Sequence, residues 1–324
     1  MNKYALAAVL AFLVCSPAAL AAHMASTSLA TGSSSSINTE SAVPLEAGAW
    51  SFSLRYEEQQ FDRLSDEELL RLAGADPEAD LHSVESVKTT LFNVSYGLND
   101  NLTLGISLPF VERTDIRAPH FHEEDNEFEI EHEGDSKGIG DAKLYGLWRF
   151  AQGENHSTSM IFGISVPTGK DDDTSPEGEL YEQEFQPGSG SWDPLIGIAY
   201  SRSFDRVNLD TSATYNLVNE GSQQTNLGDW FTYNAGLSYL LSSGSGLDWR
   251  VVVEANGLWR DRLTAEGVEE RNSGGHWLNL APGIVAGRDN WSVFANVAFP
   301  VVNSPGGDQD EQDYRFQIGF QFGL

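Results

Sequence analysis

From about position 49 onward the chain alternates between apolar and polar residues, in segments of roughly ten separated by turn residues. The closing segment shows the pattern most cleanly. In Tyr314-Arg-Phe-Gln-Ile-Gly-Phe-Gln-Phe-Gly-Leu324, one side carries Tyr314, Phe316, Ile318, Phe320, Phe322 and Leu324, and the other Arg315, Gln317, Gly319, Gln321 and Gly323. A side-chain period of two belongs to a strand, so this is a ribbon with one aromatic, apolar face and one wet face. Such a face meets either a second sheet in a soluble sandwich or lipid in a transmembrane barrel, whose wet face then lines the interior.

Comparable segments fall near 49–57, 88–98, 102–112, 139–150, 158–168, 192–204, 207–218, 229–241, 247–260, 276–287, 291–302 and 313–324. They predict twelve strands, an even number that suits a bacterial barrel. Short connections at 99–101, 151–157, 205–206, 242–246 and 288–290 alternate with longer ones at 58–87, 113–138, 169–191, 219–228, 261–275 and 303–312. Short turns at one end and long loops at the other are the asymmetry of an outer-membrane barrel; a sandwich has no need of it. The expected fold is therefore all-β, an up-and-down antiparallel transmembrane barrel of about twelve strands. Both termini would be periplasmic, and the last strand would pair with the first near Trp50 to abolish both edges.

Aromatic positions agree with this reading. Trp50, Tyr96, Trp148, Phe150, Phe204, Tyr239, Trp249, Trp291 and Phe322 have outward parity near the short-turn ends of their strands. Trp192, Phe231, Trp259, Phe299 and Tyr314 would form the opposite girdle. Rings collect at lipid–water interfaces because an apolar body and a polar edge are both satisfied there.

The other parity gives the candidate lumen residues: Arg55, Asn93, Lys143, Arg149, Asp210, Arg250, Glu254, Asn256, Arg260, Asn296, Arg315 and Gln317. A water-filled channel relieves the cost of burying such groups, and pairing across the barrel for stability would do so too. Both readings are open. Gly97, Gly105, Gly163, Gly197, Gly236 and Gly319 share that face and leave space for a narrow pore or a plugging segment.

Ahead of the strands, Lys3, the apolar run 4–14 and Ala19-Leu20-Ala21 read as a signal peptide over 1–21. Residues 22–48, rich in Ser, Thr and Ala without periodicity, are expected to be a flexible periplasmic lead-in; folding back to plug the lumen is the alternative. Residues 49–324 would be the barrel. Cys15, the one cysteine, follows Val14 rather than a small residue, so a lipid anchor is not expected; without 1–21 no disulfide is possible. Formal charge is −29, or −30 without the signal peptide, which excludes nucleic acid as a partner. No later run is long and apolar enough for a spanning helix.

Acid concentrates in three loops, with ten Asp or Glu in 57–86, ten in 112–137 and seven in 168–190. In the first, Ser65 and Glu68 make a capping box for a short helix ending near Gly74, a candidate lid over the barrel mouth. In the second, His120, His122, Glu123, Asp125 and His132 are metal-ligating types, yet they match no closed metal site, and no metal or cofactor is expected. The alternation Glu127-Phe-Glu-Ile-Glu131 suggests a strand rising above the membrane. The expectation for this acidic stretch is a solvated loop, which divalent cations could bridge to lipopolysaccharide phosphates.

Catalytic patterns fail. Asp171 replaces the Ser or Thr that should follow Gly169-Lys170 in a phosphate loop, and neither a Gly-x-Ser-x-Gly elbow nor a His-Glu-x-x-His pair occurs. No enzyme is expected; a barrel-embedded hydrolase would need a Ser and a His meeting in space.

Three segments carry a family likeness: Gly138-Ile-Gly-Asp-Ala-Lys-Leu-Tyr-Gly146, Phe162-Gly-Ile-Ser-Val-Pro-Thr-Gly-Lys-Asp171 and Pro187-Gly-Ser-Gly-Ser-Trp-Asp-Pro-Leu-Ile-Gly-Ile-Ala-Tyr-Ser201. Together they resemble the outer-membrane barrels named after meta-pathway phenol degradation. That resemblance implies a porin-like transporter of aromatic or other hydrophobic compounds in a Gram-negative outer membrane, and it brings no catalytic residue with it. The expected partners are then a small-molecule solute, the lipid bilayer with lipopolysaccharide, and the barrel-assembly machinery. The competing expectation is a non-transporting surface barrel whose acidic loops bind divalent cations, lipopolysaccharide or another cell.

Overall fold

The computed structural model describes residues 36–324, apart from 78, 123–125, 243–245 and 289. The expected signal peptide lies outside the described residues, as do Glu123 and Asp125 of the metal candidates.

The strands are β1 (Trp50–Asp62), β2 (Ser86–Asn99), β3 (Leu102–His122), β4 (Glu127–Ile139), β5 (Ala142–Gln152), β6 (His156–Val166), β7 (Asp193–Phe204) and β8 (Val207–Asn216). They continue as β9 (Thr225–Asn226), β10 (Trp230–Ser242), β11 (Asp248–Arg260), β12 (Thr264–Ala265), β13 (Val268–Glu269), β14 (Gly275–Arg288), β15 (Trp291–Pro305) and β16 (Glu311–Gly323). The two-residue strands β9, β12 and β13 form a small sheet of their own among the loops. Both β4 and β5 pair with β3, the first along its outer part (Phe110 to His122) and the second along its inner part (Leu102 to Ser107). They are therefore one wall strand interrupted at Gly140-Asp141, and the wall has the expected twelve strands. In the wall all pairings are antiparallel between successive wall strands, and β1 on β16 closes the circle. At that seam Phe52 faces Phe322, Leu54 faces Phe320 and Tyr56 faces Ile318.

Alternation sorts the side chains as the sequence implies. Leu54, Phe92, Leu144, Ile196, Leu237, Val253, Ile284 and Phe320 are exposed on the outside, from strands all around the wall. A soluble protein rarely exposes so large a contiguous apolar surface, whereas a lipid-facing belt requires it. At the short-turn end Trp50 faces Tyr96 with ring centroids 4.7 Å apart, and Trp291 faces Phe322. Trp192, Trp259 and Phe299 are exposed toward the long-loop end. The two girdles thus stand where parity put them.

Three expectations change. The stretch 113–138 is not an open loop: β3 and β4 run on as a hairpin, with Phe121 opposite Phe128. The predicted helix, α1 (Asp66–Ala75), forms with both halves of its capping box. It does not lie across the mouth. Its buried Leu69 and Ala73 pack with Phe128 and Ile130 on the β3–β4 hairpin, because that apolar patch gives the amphipathic face somewhere to bury. Finally, residues 36–45 of the expected flexible lead-in are packed inside the barrel, as the alternative reading had it, and 46–48 are exposed at the short-turn end.

Candidate functional site

The lumen divides into a lower part filled by residues 36–45 and an upper cavity under the loops. The filling segment starts at the short-turn end, where Gly48 N–H donates to Gly97 O (2.7 Å) and Ala47 N–H to Asp100 Oδ1 (3.2 Å). Higher up, Leu45 N–H donates to Thr103 Oγ1 (2.8 Å), Ala42 N–H to Ser201 Oγ (2.8 Å), and Ser159 Oγ to Ala42 O (2.6 Å). At the top, Glu254 accepts from three successive amides, those of Ile37 (3.3 Å), Asn38 (3.0 Å) and Thr39 (2.8 Å). Arg55 Nη2 donates to Ile37 O (2.7 Å), and Ser36 Oγ to Asp210 Oδ2 (2.9 Å).

Backbone amides explain why this stretch packs instead of dangling. A lumen of fixed carboxylates and hydroxyls offers acceptors, and an extended segment without secondary structure of its own brings its amides to them. Two wall glycines make the approach possible: a Cβ on Gly236 would lie 2.4 Å from Ser36 Oγ, and one on Gly97 would lie 2.0 Å from Glu46 O.

The parity-selected residues are inward-facing, with different employments. Arg55, Asp210, Glu254 and Asn256 hold or border the filling segment. Asn93 donates to Ser53 (3.1 Å), Gln317 bonds to Glu57, Arg315 lies 4.0 Å from Glu57, and Asn296 is buried in the wall. Arg149 is spent at the short-turn end, donating to Asn101 Oδ1 (3.1 Å) and Asp100 O (2.6 Å), and Arg250 is half-buried opposite Leu240. Lys143, Arg260 and Arg315 line the upper cavity.

That cavity encloses about 190 Å³ and has Asn38 of the filling segment in its floor. Val87, Leu91, Pro109, Val111 and Leu258 make its walls apolar, and Trp230 adds an aromatic face. Four cations, Arg113, Lys143, Arg260 and Arg315, face it against two carboxylates, Asp141 and Asp193. Lys143 Nζ stands 5.1 Å from the Trp230 ring centroid. Arg113 donates to Phe185 O (3.1 Å) and so anchors the roof, whereas Arg260 donates to Leu227 O (3.0 Å) in the loop between β9 and β10.

The roof is the loop 167–192, not the helix. Tyr181 and Phe185 are fully buried against Phe61, Val84, Val111, Ile116 and Trp277. Ser136 Oγ donates to Phe185 O (2.5 Å), and Gln186 Nε2 to Tyr181 O (2.8 Å). His82 packs edge-on against Phe185, surrounded by carboxylates. Burial by itself would push its imidazolium down, but Glu182, Asp80 and Glu184 outweigh that and hold it up at about 9.

At the roof's edge Asp141 ties three chain segments together. Its Oδ1 accepts from Gly169 N–H (2.8 Å), and its Oδ2 from Ser189 N–H (2.7 Å) and Ser189 Oγ (2.6 Å). Gly188 N–H donates to Lys170 O (2.7 Å). The three segments whose sequence carries the family likeness therefore meet at one junction, and Asp141, Lys143, Ser165, Pro187, Ser189 and Asp193 from them line the cavity.

Among the described metal candidates, the His120 and His122 rings meet edge-on with centroids 5.5 Å apart, and His132 lies apart from them with a partner of its own. His122 Nε2 lies 3.6 Å from Glu131, whereas His132 pairs with Asp115 at 3.3 Å, and both histidines are on the exposed hairpin. Reasoning from sequence missed Arg113, Trp230 and His82. Extending the β3 alternation past Val111 would have put Arg113 inward; His82 has no local signal at all.

The family described as "Putative MetA-pathway of phenol degradation" matches residues 75–319. No curated protein matches the chain by sequence. Among solved structures, the COG4313 outer membrane channel from Pseudomonas putida F1 is similar with a TM-score of 0.62 at 14% identity, over 87% of this chain and 98% of that one. The CymD monoaromatic hydrocarbon channel gives 0.44 at 10% identity, over 86% and 89%. The β domain of the Bordetella autotransporter BrkA gives 0.46 at 10% identity, over 86% and 100%.

Proposed function

The chain belongs to this phenol-degradation family and is a bacterial outer-membrane barrel, and we propose that it is a channel for small solutes with an aromatic or otherwise hydrophobic body and an anionic head. The upper cavity carries this reading. Its apolar walls and Trp230 suit a hydrophobic body, and its excess of cations suits a carboxylate, within a protein that is otherwise strongly acidic. The family description supports an aromatic body.

In this mechanism the long loops face outward and both termini the periplasm. Solute enters under the roof loop 167–192 and is held between Lys143 and the Trp230 face. Onward passage requires residues 36–45 to leave Glu254, since they fill the lower lumen. No bond is made or broken in the solute. The barrel-assembly machinery inserts the wall, and the acidic loops lie against lipopolysaccharide.

Flux into proteoliposomes tests this. Benzoate should enter faster than benzyl alcohol or benzylammonium of similar size. Equal rates for all three, or none above empty vesicles, would overturn it. A non-transporting surface barrel is the second reading, favoured by the tightly packed roof. Removing the hairpin 113–138 would then abolish cation or cell binding and leave permeability unchanged.

A further inference from the structure

The roof gathers a second set of groups that solute passage does not use. Asp80 and His82 come from the loop between β1 and β2, and Glu182 and Glu184 from the loop between β6 and β7. His82 Nδ1 is 3.2 Å from Asp80 and 4.0 Å from Glu184, and its Nε2 is 3.7 Å from Glu182. One ligand atom each from Asp80, His82 and Glu182 lie within 4.8 Å of one another. The imidazole is 7% exposed and fixed against Phe185, while Asp80 and Glu182 reach solvent and leave a path for an ion.

Charge there is unbalanced. The adjoining small pocket is lined by Asp80, His82, Glu184, Glu270, Asp308 and Gln309, along with Asn272 and Ser273, and no lysine or arginine is among its lining residues. His82 is the cation nearest Asp80 and Glu182, while Arg113 and Arg260 act on the buried Glu184 from the cavity side. Gln309 supplies an independent sign. It is 1% exposed, its Nε2 donates to the Gly306 and Gly274 carbonyls, and its Oε1 is buried without a partner. A buried acceptor left over beside an acidic cluster is one that a cation drawn against it would satisfy.

We propose that Asp80, His82 and Glu182 bind a divalent transition-metal ion of the zinc class, linking two outer loops of the roof. One imidazole nitrogen with carboxylates suits Zn²⁺ better than Ca²⁺ or Mg²⁺, which take oxygen ligands throughout. Zinc bonds of ~2.0–2.2 Å set neighbouring ligand atoms roughly 3.3 Å apart. The ion takes one ring nitrogen, Nε2 on the Glu182 side, and solvent-facing Asp80, now against Nδ1, swings across to reach that spacing. Glu184, buried beside Nδ1, is a positioning residue for the ring.

The test is calorimetric titration of the full, detergent-solubilised protein with Zn²⁺, and with Ca²⁺ in parallel. One Zn²⁺ per chain is expected, with Ca²⁺ at least tenfold weaker. His82→Gln should weaken Zn²⁺ at least tenfold. The combined change His120→Ala, His122→Ala and His132→Ala should leave it unaltered. Asp80→Asn with Glu182→Gln keeps the packed imidazole and should also lose the ion, which guards against a misfolded His82 variant. In the intact protein Zn²⁺ should also slow proteolysis within 167–192. Absence of a Zn²⁺ site, undiminished binding in both site variants, preference for Ca²⁺, or loss with the hairpin histidines would each overturn the proposal.

Discussion

Glu254 and Arg113 occupy inward-facing wall positions, one in the lower lumen and one in the upper, and each is bonded to the backbone of a segment from outside the wall. Glu254 accepts three amides of residues 37–39, which run directly against the wall and leave no room beside it. Arg113 donates to one carbonyl of the roof, which arches over and leaves a cavity beneath. An extended segment fills below; bulky Tyr181, Phe185 and Pro187 span above. A buried charge in a barrel is thus satisfied equally well by occlusion or by bridging, and which one occurs decides whether the lumen is wall or vessel.

The strongest way to break the contrast is to delete residues 36–47. The lower half should open, raising single-channel conductance in planar bilayers by at least tenfold, while solute binding above persists. Unchanged conductance would locate the barrier in the roof instead. Glu254→Ala comes next. Hydrogen bonds to a charged group contribute ~1.5–3 kcal/mol each, so losing three acceptor contacts should release the segment part of the time. Flickering conductance and faster proteolysis of 36–47 would report it. Lys143→Gln addresses the upper half alone: benzoate affinity should fall roughly tenfold, as expected for one charge and its stacking on Trp230, with the lower segment still protected.

The smallest effect comes from pH. Burial pushes Asp310 up to about 6, against the amides of Leu64 and Val84, the Ser83 side chain and the charge of Arg117. Its folded value lies above the unfolded one of 3.8, so its favourable contribution is complete below about 3.8 and lost as pH rises through about 6. Hydrogen exchange in 63–85 should therefore quicken across that window, and Asp310→Asn should flatten the change. The lower lumen should not respond.

The wall was legible because each strand reports its own faces. Leu54 and Arg55, or Leu144 and Tyr145, point apart whatever their neighbours do, and twelve repetitions of one rule leave little alternative. The Ser65–Glu68 cap was legible for the same local reason. Residues 36–48 were not, since they lack a period of their own and bond to partners as distant in sequence as Glu254. The turn around Phe185 was hidden likewise: its burial depends on Val84, Ile116 and Trp277 from three other parts of the chain. Position 113 was obscured by assigning a loop where β3 continued. Asp141 carried a signal only through the likeness of the segments it joins.

The seam bears on how such an object is made. Trp50 N–H donates to Leu324 O (2.8 Å) and Leu324 N–H to Trp50 O (2.9 Å), so the two ends of the wall meet beside Gly48, where the inner segment departs. A curling sheet with its edges still apart can lay that segment along its concave side and then shut around it. Enclosure needs no threading of a free end through a finished ring. The topology thus permits a lining laid down before closure, with β16 as the door.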